Sequence, residues 1–310
     1  MRIFIAGASG AVGQPLVRRL AEAGHEVYGM TRTPAKAERL RELGAEPVVA
    51  DALDRDAVMA AVREAGPDVV VHQLTAIAGA NLRNLDAAFV LTNRLRTEGT
   101  DHLIAAARAA GARRFVAQSF APWSYKREGG PAKAETDPLE TDPPKHVEET
   151  LAAIRHLEAA VTGAEGLEGI VLRYGGFYGP GTGIARGGDM LEMIVKGRFP
   201  VVGDGGGVWS LIHIEDAAAA TVAAIERGRP GVYNVADDEP APVRDWLPAL
   251  AEAVGGRRPR HMPGFLGRLL LGPAFYTMMT ELRGASNAKA TRELGWPPAF
   301  PSYRLGFAAL

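Results

Sequence analysis

The sequence contains no cysteine among its 310 residues. That excludes disulfides, thiolate catalysis and cysteine-ligated zinc or iron–sulfur centres, and it leaves the redox compartment open. An excess of charge is also missing: 35 Lys and Arg against 36 Asp and Glu give a formal net charge of −1. Such a balance offers no basic footprint for nucleic acid and no polybasic anchor for an anionic membrane, so neither is an expected partner. Long apolar runs are absent too. The most apolar late stretch, Pro263 to Met279, is interrupted by Arg268, Gly272 and Pro273, which makes it too broken to span a bilayer. The first apolar run leads into a glycine turn rather than a signal-peptide cleavage site, so a cytoplasmic protein is expected. The seven histidines show no HxxxH or HExxH spacing, and no metal site is expected.

What is present is an ordinary globular composition, 47% hydrophobic, and a regular rhythm. Apolar strand-like runs at Ile3–Ala6, Val27–Met30, Pro47–Ala50, Asp68–His72, Arg114–Gln118 and Gly169–Tyr174 alternate with helical patterns. The helices are read at Gln14–Ala23, Pro34–Leu43, Arg55–Ala65, a long stretch from about Leu85 to Ala110, and Val147–Val161. Strands that read as continuous apolar runs are covered by helices on both faces. The expected fold class is therefore α/β, a Rossmann-type doubly wound parallel sheet, with a smaller C-terminal substrate lobe. The nucleotide domain spans residues 1–175, with 209–236 returning to it; 176–208 and 237–310 make the lobe. Residues 126–146, rich in Pro and charge, read as a mobile surface loop beside the site.

The first strand meets the string GASGAVG, residues 7–13, just before the first helix. A turn without side chains lets the backbone approach a pyrophosphate, and the helix start offers free N–H groups and a positive dipole end. Gly7, Ser9, Gly10, Ala11, Val12 and Gly13 are thus candidate cofactor residues. The second strand ends in Met30-Thr31-Arg32-Thr33, where a ribose-binding carboxylate would indicate NAD. Arg32, with Lys36 one turn later, suits a 2′-phosphate instead, so NADP(H) is preferred and NAD(H) is possible. Asp51 and Ala52 stand near the adenine; Leu74 and Thr75 line the crevice.

The motifs GASGAVG (7–13), ADAL (50–53), DVVVHQLTA (68–76), RRFVAQS (113–119), LRYGGFYGPG (172–181), SLIHIEDAAAA (210–220) and GVYNVADDEP (231–240) occur in one order along nearly the whole chain. In this the chain resembles the extended short-chain dehydrogenases/reductases, the NAD-dependent epimerase/dehydratase family. The resemblance implies a nicotinamide cofactor, a small-molecule substrate, Tyr174 and Phe177 near the nicotinamide, and Ser119 polarising a substrate oxygen. It also implies a Tyr and a Lys four residues apart on one helix, and no YxxxK occurs here. Aligned on Leu151-Ala152-Ala153, His146 stands in place of the Tyr and Thr150 in place of the Lys. His146, as an imidazole suited to proton transfer near neutral pH, and Tyr178 are the substitute proton donors considered. Tyr125 and Arg283 are candidate substrate contacts. The likeness also implies a possible homodimer through the helices at 85–110 and 147–161.

The reading reached is an NAD(P)-dependent oxidoreductase acting on a carbonyl or alcohol with atypical catalytic residues. Two alternatives stand beside it: a nucleotide-sugar epimerase or dehydratase, and a non-catalytic NADP(H)-binding redox sensor.

Overall fold

The computed structural model describes residues 1–77 and 85–310. Seven parallel strands form one sheet: β1 (Arg2–Ala6), β2 (Glu26–Thr31), β3 (Ala45–Val49), β4 (Val69–His72), β5 (Arg114–Phe120), β6 (Glu168–Tyr174) and β7 (Gly231–Val235). Their spatial order is β7-β6-β5-β4-β1-β2-β3. The chain runs outward from β1 through β2 to β3, then returns to place β4 on the other side of β1. In such a sheet the crevice opens at the C-terminal ends of β1 and β4, where the order reverses.

Alternation along each strand explains the continuous apolar runs. Ile3 and Ile5 point to one face, with Val69, Val71 and Val116, under α1 (Gly13–Glu22) and a later helix at Ile214–Arg227. Phe4, Val70, Phe115 and Ala117 point to the other, under α2 (Arg55–Ala65), α3 (Thr100–Ala109) and α4 (Glu148–Thr162). Local signals set these helices. At α2 the Asp54 carboxylate accepts from the Ala57 amide, and Gly66 closes the helix in the left-handed conformation, φ +51°.

Two segments depart from expectation. The stretch read as one helix from Leu85 to Ala110 is broken into Leu85–Ala88, Val90–Arg94, a π-helical turn at Leu95–Gly99, and α3. The Thr97 hydroxyl donates back to the Asn93 carbonyl, a side-chain bond that competes with regular helix spacing. The loop at 126–146, expected to be mobile, is fastened. Ala132–Lys133 pairs in parallel with Gly284–Ala285. Arg127 bridges Glu140 at 2.8 Å and Glu281 at 2.6 Å.

Residues after β6 build a second apolar cluster around Phe199, Trp209, Trp246, Phe275, Tyr303 and Phe307. The apolar stretch noted in the sequence divides here: Phe275, Met278 and Met279 are core, whereas Phe265 and Leu269 are exposed. No helix among the described residues is long and apolar enough to cross a membrane.

Candidate active site

The glycine turn sits against the end of β2, with the Gly7 and Ala8 amides donating to the Met30 carbonyl. Gly7 has φ +91°, and a Cβ there would lie 2.6 Å from the Gln73 carbonyl oxygen. A Cβ on Gly13 would lie 2.3 Å from the Gly7 carbonyl oxygen, so only glycine lets α1 start this close to the turn. No side chain caps α1 and its first turn holds no acidic residue. Gly10 is exposed, Ser9 and Ala11 are half-buried, and Val12 packs inward. A bare backbone and an uncapped, unopposed helix start are what a pyrophosphate requires.

Beside the turn, Ser9 and Thr31 share a hydrogen bond of 3.1 Å. Arg32, just past β2, and Lys36, on the 3-10 turn Pro34–Lys36, are both exposed, and neither forms an ion pair among the described residues. Asp51 is half-buried, its carboxylate accepting from the Leu53 amide at 3.0 Å; Ala52 is buried next to it. Leu74 and Thr75 lie half-buried past β4. The Leu74 amide donates to His72 Nδ1, which leaves Nε2 to donate to the Leu95 carbonyl. Burial pulls His72 down to about 4, so it is neutral at pH 7. This end of the crevice fits a dinucleotide.

The chemical end is built differently from expectation. Ser119 does not present a free hydroxyl: Oγ donates to Glu158 at 2.6 Å, in a buried position. Glu158, on α4, also takes Arg173 Nε at 2.8 Å and Nη2 at 2.5 Å. Arg173 Nη1 donates to the Tyr125 hydroxyl at 2.9 Å, and that hydroxyl donates to Asn234 Oδ1 at 2.6 Å. Ser119 and Tyr125 are therefore joined, but inside a closed network tying β5, β6, β7 and α4 together, not on a free wall of the crevice. The residues missed in the sequence were Glu158, Arg173 and Asn234. The signal was available: an arginine inside the apolar run LRY needs a buried partner.

The other candidates separate. Tyr174 is fully buried, its hydroxyl held between Gln73 and Thr221, and burial raises it to about 12. Its ring lies 5.3 Å from that of Phe177, which is half-exposed and so is the one of the two with surface to offer a ligand. Tyr178 is fully enclosed, its ring edge-on to His213 and Phe307, its hydroxyl without a hydrogen-bond partner among the described residues and raised by burial and by Asp237. Such a phenol stays protonated at neutral pH and packs within the C-terminal apolar cluster. His146 precedes α4 with φ +73°, rare for a residue with a side chain, its amide donating to Glu148 at 2.7 Å. It lines a cavity of about 500 Å³ with Asp86, Val90, Lys145 and Glu149. Thr150 is buried, its amide bound to Asp86. Arg283 lines a separate cavity of about 430 Å³ with Lys126, Arg127 and Glu140, and donates to the Glu281 carbonyl. The structure does not bring His146 and Arg283 to one cavity. No group of three His, Asp or Glu able to hold a metal occurs among the described residues.

With this geometry in view, residues 3–236 match the family model of the NAD dependent epimerase/dehydratase family. The chain belongs to that family. It is 46% identical over 309 residues, 99% of both chains, to a 3-diazoavenalumate denitrifying reductase from a Streptomyces species. It is 32% identical to a 2-alkyl-3-oxoalkanoate reductase from Stenotrophomonas maltophilia, over 83% of this chain and 77% of that one. Among solved structures it superposes on a Thermus thermophilus UDP-glucose 4-epimerase in complex with NAD, with TM-score 0.74 and 26% identity over 99% and 98% of the two chains. A Thermotoga maritima UDP-glucose 4-epimerase shares the fold at TM-score 0.77 and 19% identity, over 99% and 97% of the two chains.

Proposed function

We propose, from membership of this family, that the chain is a nicotinamide-dependent reductase that prefers NADPH and removes dinitrogen from a small aromatic diazo compound. The observation that carries the reading is the 46% identity to a denitrifying reductase across 99% of both chains. The preference for NADPH rests on Arg32 and Lys36, two exposed cations just past β2 with no ion-pair partner among the described residues. A 2′-phosphate would take the fork of the first and the point charge of the second.

The chain's own acid–base equipment supports the same reaction. It has no YxxxK, Ser119 is engaged by Glu158, and the Tyr125 and Tyr174 hydroxyls are bonded inside the protein. A reduced nicotinamide, when bound, supplies a hydride: on the diazo carbon of a quinone diazide this gives phenolate and dinitrogen with no proton needed, whereas on a ketone it gives an alkoxide that must be protonated. The protein's task is then to hold the arene and exclude water.

The test is incubation of the purified chain with NADPH and an ortho-diazophenol labelled with nitrogen-15. The expected result is one labelled dinitrogen released per NADPH oxidised. NADPH oxidation with ketones and none with the diazo compound would refute it. That outcome would move the reading to carbonyl reduction, with His146, which lines its own cavity at the head of α4, as proton donor. Binding without turnover of either substrate would leave the redox sensor.

A further inference from the structure

The π-helical turn Leu95–Gly99 carries Arg96, and π-helical turns are rare and cluster at functional sites. Arg96 is 4% exposed, and among the described residues its buried Nη1 has no hydrogen-bond partner and it forms no ion pair. Its charge is felt by two neighbours. It opposes protonation of His72, the last residue of β4, and it is itself held by the field of Glu158. Glu158 gives it a field but no hydrogen bond; its two oxygens accept from Ser119 and Arg173. The Leu95 carbonyl of the same turn accepts from His72 Nε2 at 3.2 Å, so the turn that carries Arg96 lies against the C-terminal end of β4. Burial brings it down to about 10, which leaves it charged at neutral pH. A guanidinium has five N–H donors and no acceptor, so its missing partner is an oxygen.

We propose that Arg96 is the residue that binds the substrate oxygen bearing negative charge, so that its guanidinium neutralises the oxyanion formed as the neighbouring carbon is reduced. This deepens the reductase reading of the same site. In the diazo reaction the new C–H bond takes the electron pair of the hydride from reduced nicotinamide. The C–N bond breaks with its pair leaving on dinitrogen, and the ring oxygen remains as phenolate against Arg96. In a ketone the C=O π pair becomes the alkoxide pair at the same place. A fixed donor aimed at developing charge is worth about a hundred- to a thousandfold in rate. Arg96 would supply, from the turn between β4 and β5, the positive charge that the family's lysine supplies from the helix of α4.

The test needs no turnover. The protein loaded with NADP+ is titrated with 4-nitrophenol, and the apparent pKa of the bound dye is read from the nitrophenolate absorbance. A cation in contact lowers a neighbouring acid's pKa by about one to three units. The wild-type chain is expected to lower that of the dye by at least about one unit. Arg96→Met is expected to abolish the shift while leaving NADP+ affinity unchanged, and Arg96→Lys to retain part of it. An unshifted or unbound dye on the wild-type protein, or the same shift on Arg96→Met, overturns the proposal. If Arg96→Met loses NADP+, the result on Arg96→Lys decides: a partial shift supports the proposal and none overturns it. Failure of dinitrogen release leaves this measurement unaffected, so the two readings fail separately.

Discussion

Removing Arg173 tests whether the closed network at the ends of β5 and β6 holds the site together. In Arg173→Met the Glu158 carboxylate loses two hydrogen bonds, at 2.8 and 2.5 Å, and keeps only the Ser119 hydroxyl at 2.6 Å. Both partners are nearly inaccessible, with side chains 3% and 10% exposed, so water does not replace what is lost. Breaking a buried pair from one side costs about 3–5 kcal/mol, because the remaining charge stays unpaired. At roughly 2 °C per kcal/mol for a chain of this size, Tm falls by about 6–10 °C. Glu158→Leu together with Arg173→Met removes both charges and leaves apolar bulk. It is expected to cost less than the sum of the two single variants, since Arg96 loses the field of Glu158 in both Glu158→Leu and the double variant, giving a coupling of about 1–3 kcal/mol. Urea denaturation followed by circular dichroism on the four proteins of the cycle measures this. A single variant that loses under about 1 kcal/mol, or a double variant equal to the sum of the singles, would refute the buried pair as described.

Arg32→Ala is expected to weaken NADPH about 10- to 100-fold, the worth of a charged hydrogen bond, and to leave NADH within about twofold; fluorescence titration with both cofactors checks it, and equal losses would remove Arg32 from the 2′-phosphate. Gly13→Ala puts a Cβ 2.3 Å from the Gly7 carbonyl oxygen, so it should cost about 1–3 kcal/mol and lower cofactor affinity; a thermal shift assay with and without NADPH would show neither effect if the turn had room. Asp237 is buried, its Oδ2 has no hydrogen-bond partner among the described residues, and burial raises it from 3.8 to about 8. The native state therefore holds a proton that the unfolded chain releases, and this group's contribution to stability falls as pH rises towards about 8. His72, lowered from 6.5 to about 4, acts in the opposite direction but only below 6.5. Between pH 6.5 and 8 stability should fall, by at most about 1.4 kcal/mol per pH unit, and Asp237→Asn should flatten the slope; an unchanged slope in that variant would assign the effect elsewhere.

The sheet and the cofactor end were readable in one dimension because their signals are local. Apolar runs of strand length, the cap at Asp54 and Gly66, and the spacing of Gly7, Gly10 and Gly13 each act within a few residues. They were enough to place six of the seven strands and the glycine turn between the first strand and the first helix. The chemical end depends on contacts that cross the chain. Ser119 meets Glu158 39 positions away, and Tyr125 meets Asn234 109 positions away. No spacing rule could tell that Ser119 faces α4, that Tyr178 is sealed beside Phe307, or that the charged loop at 126–146 is tied to Glu281. What local chemistry dictates is which backbone forms where, and hence that GASGAVG ends a strand and opens a helix. Which hydroxyls are spent, and which charge is left without a partner, follows from how the helices pack on the sheet, since a buried polar group is defined by what surrounds it in space.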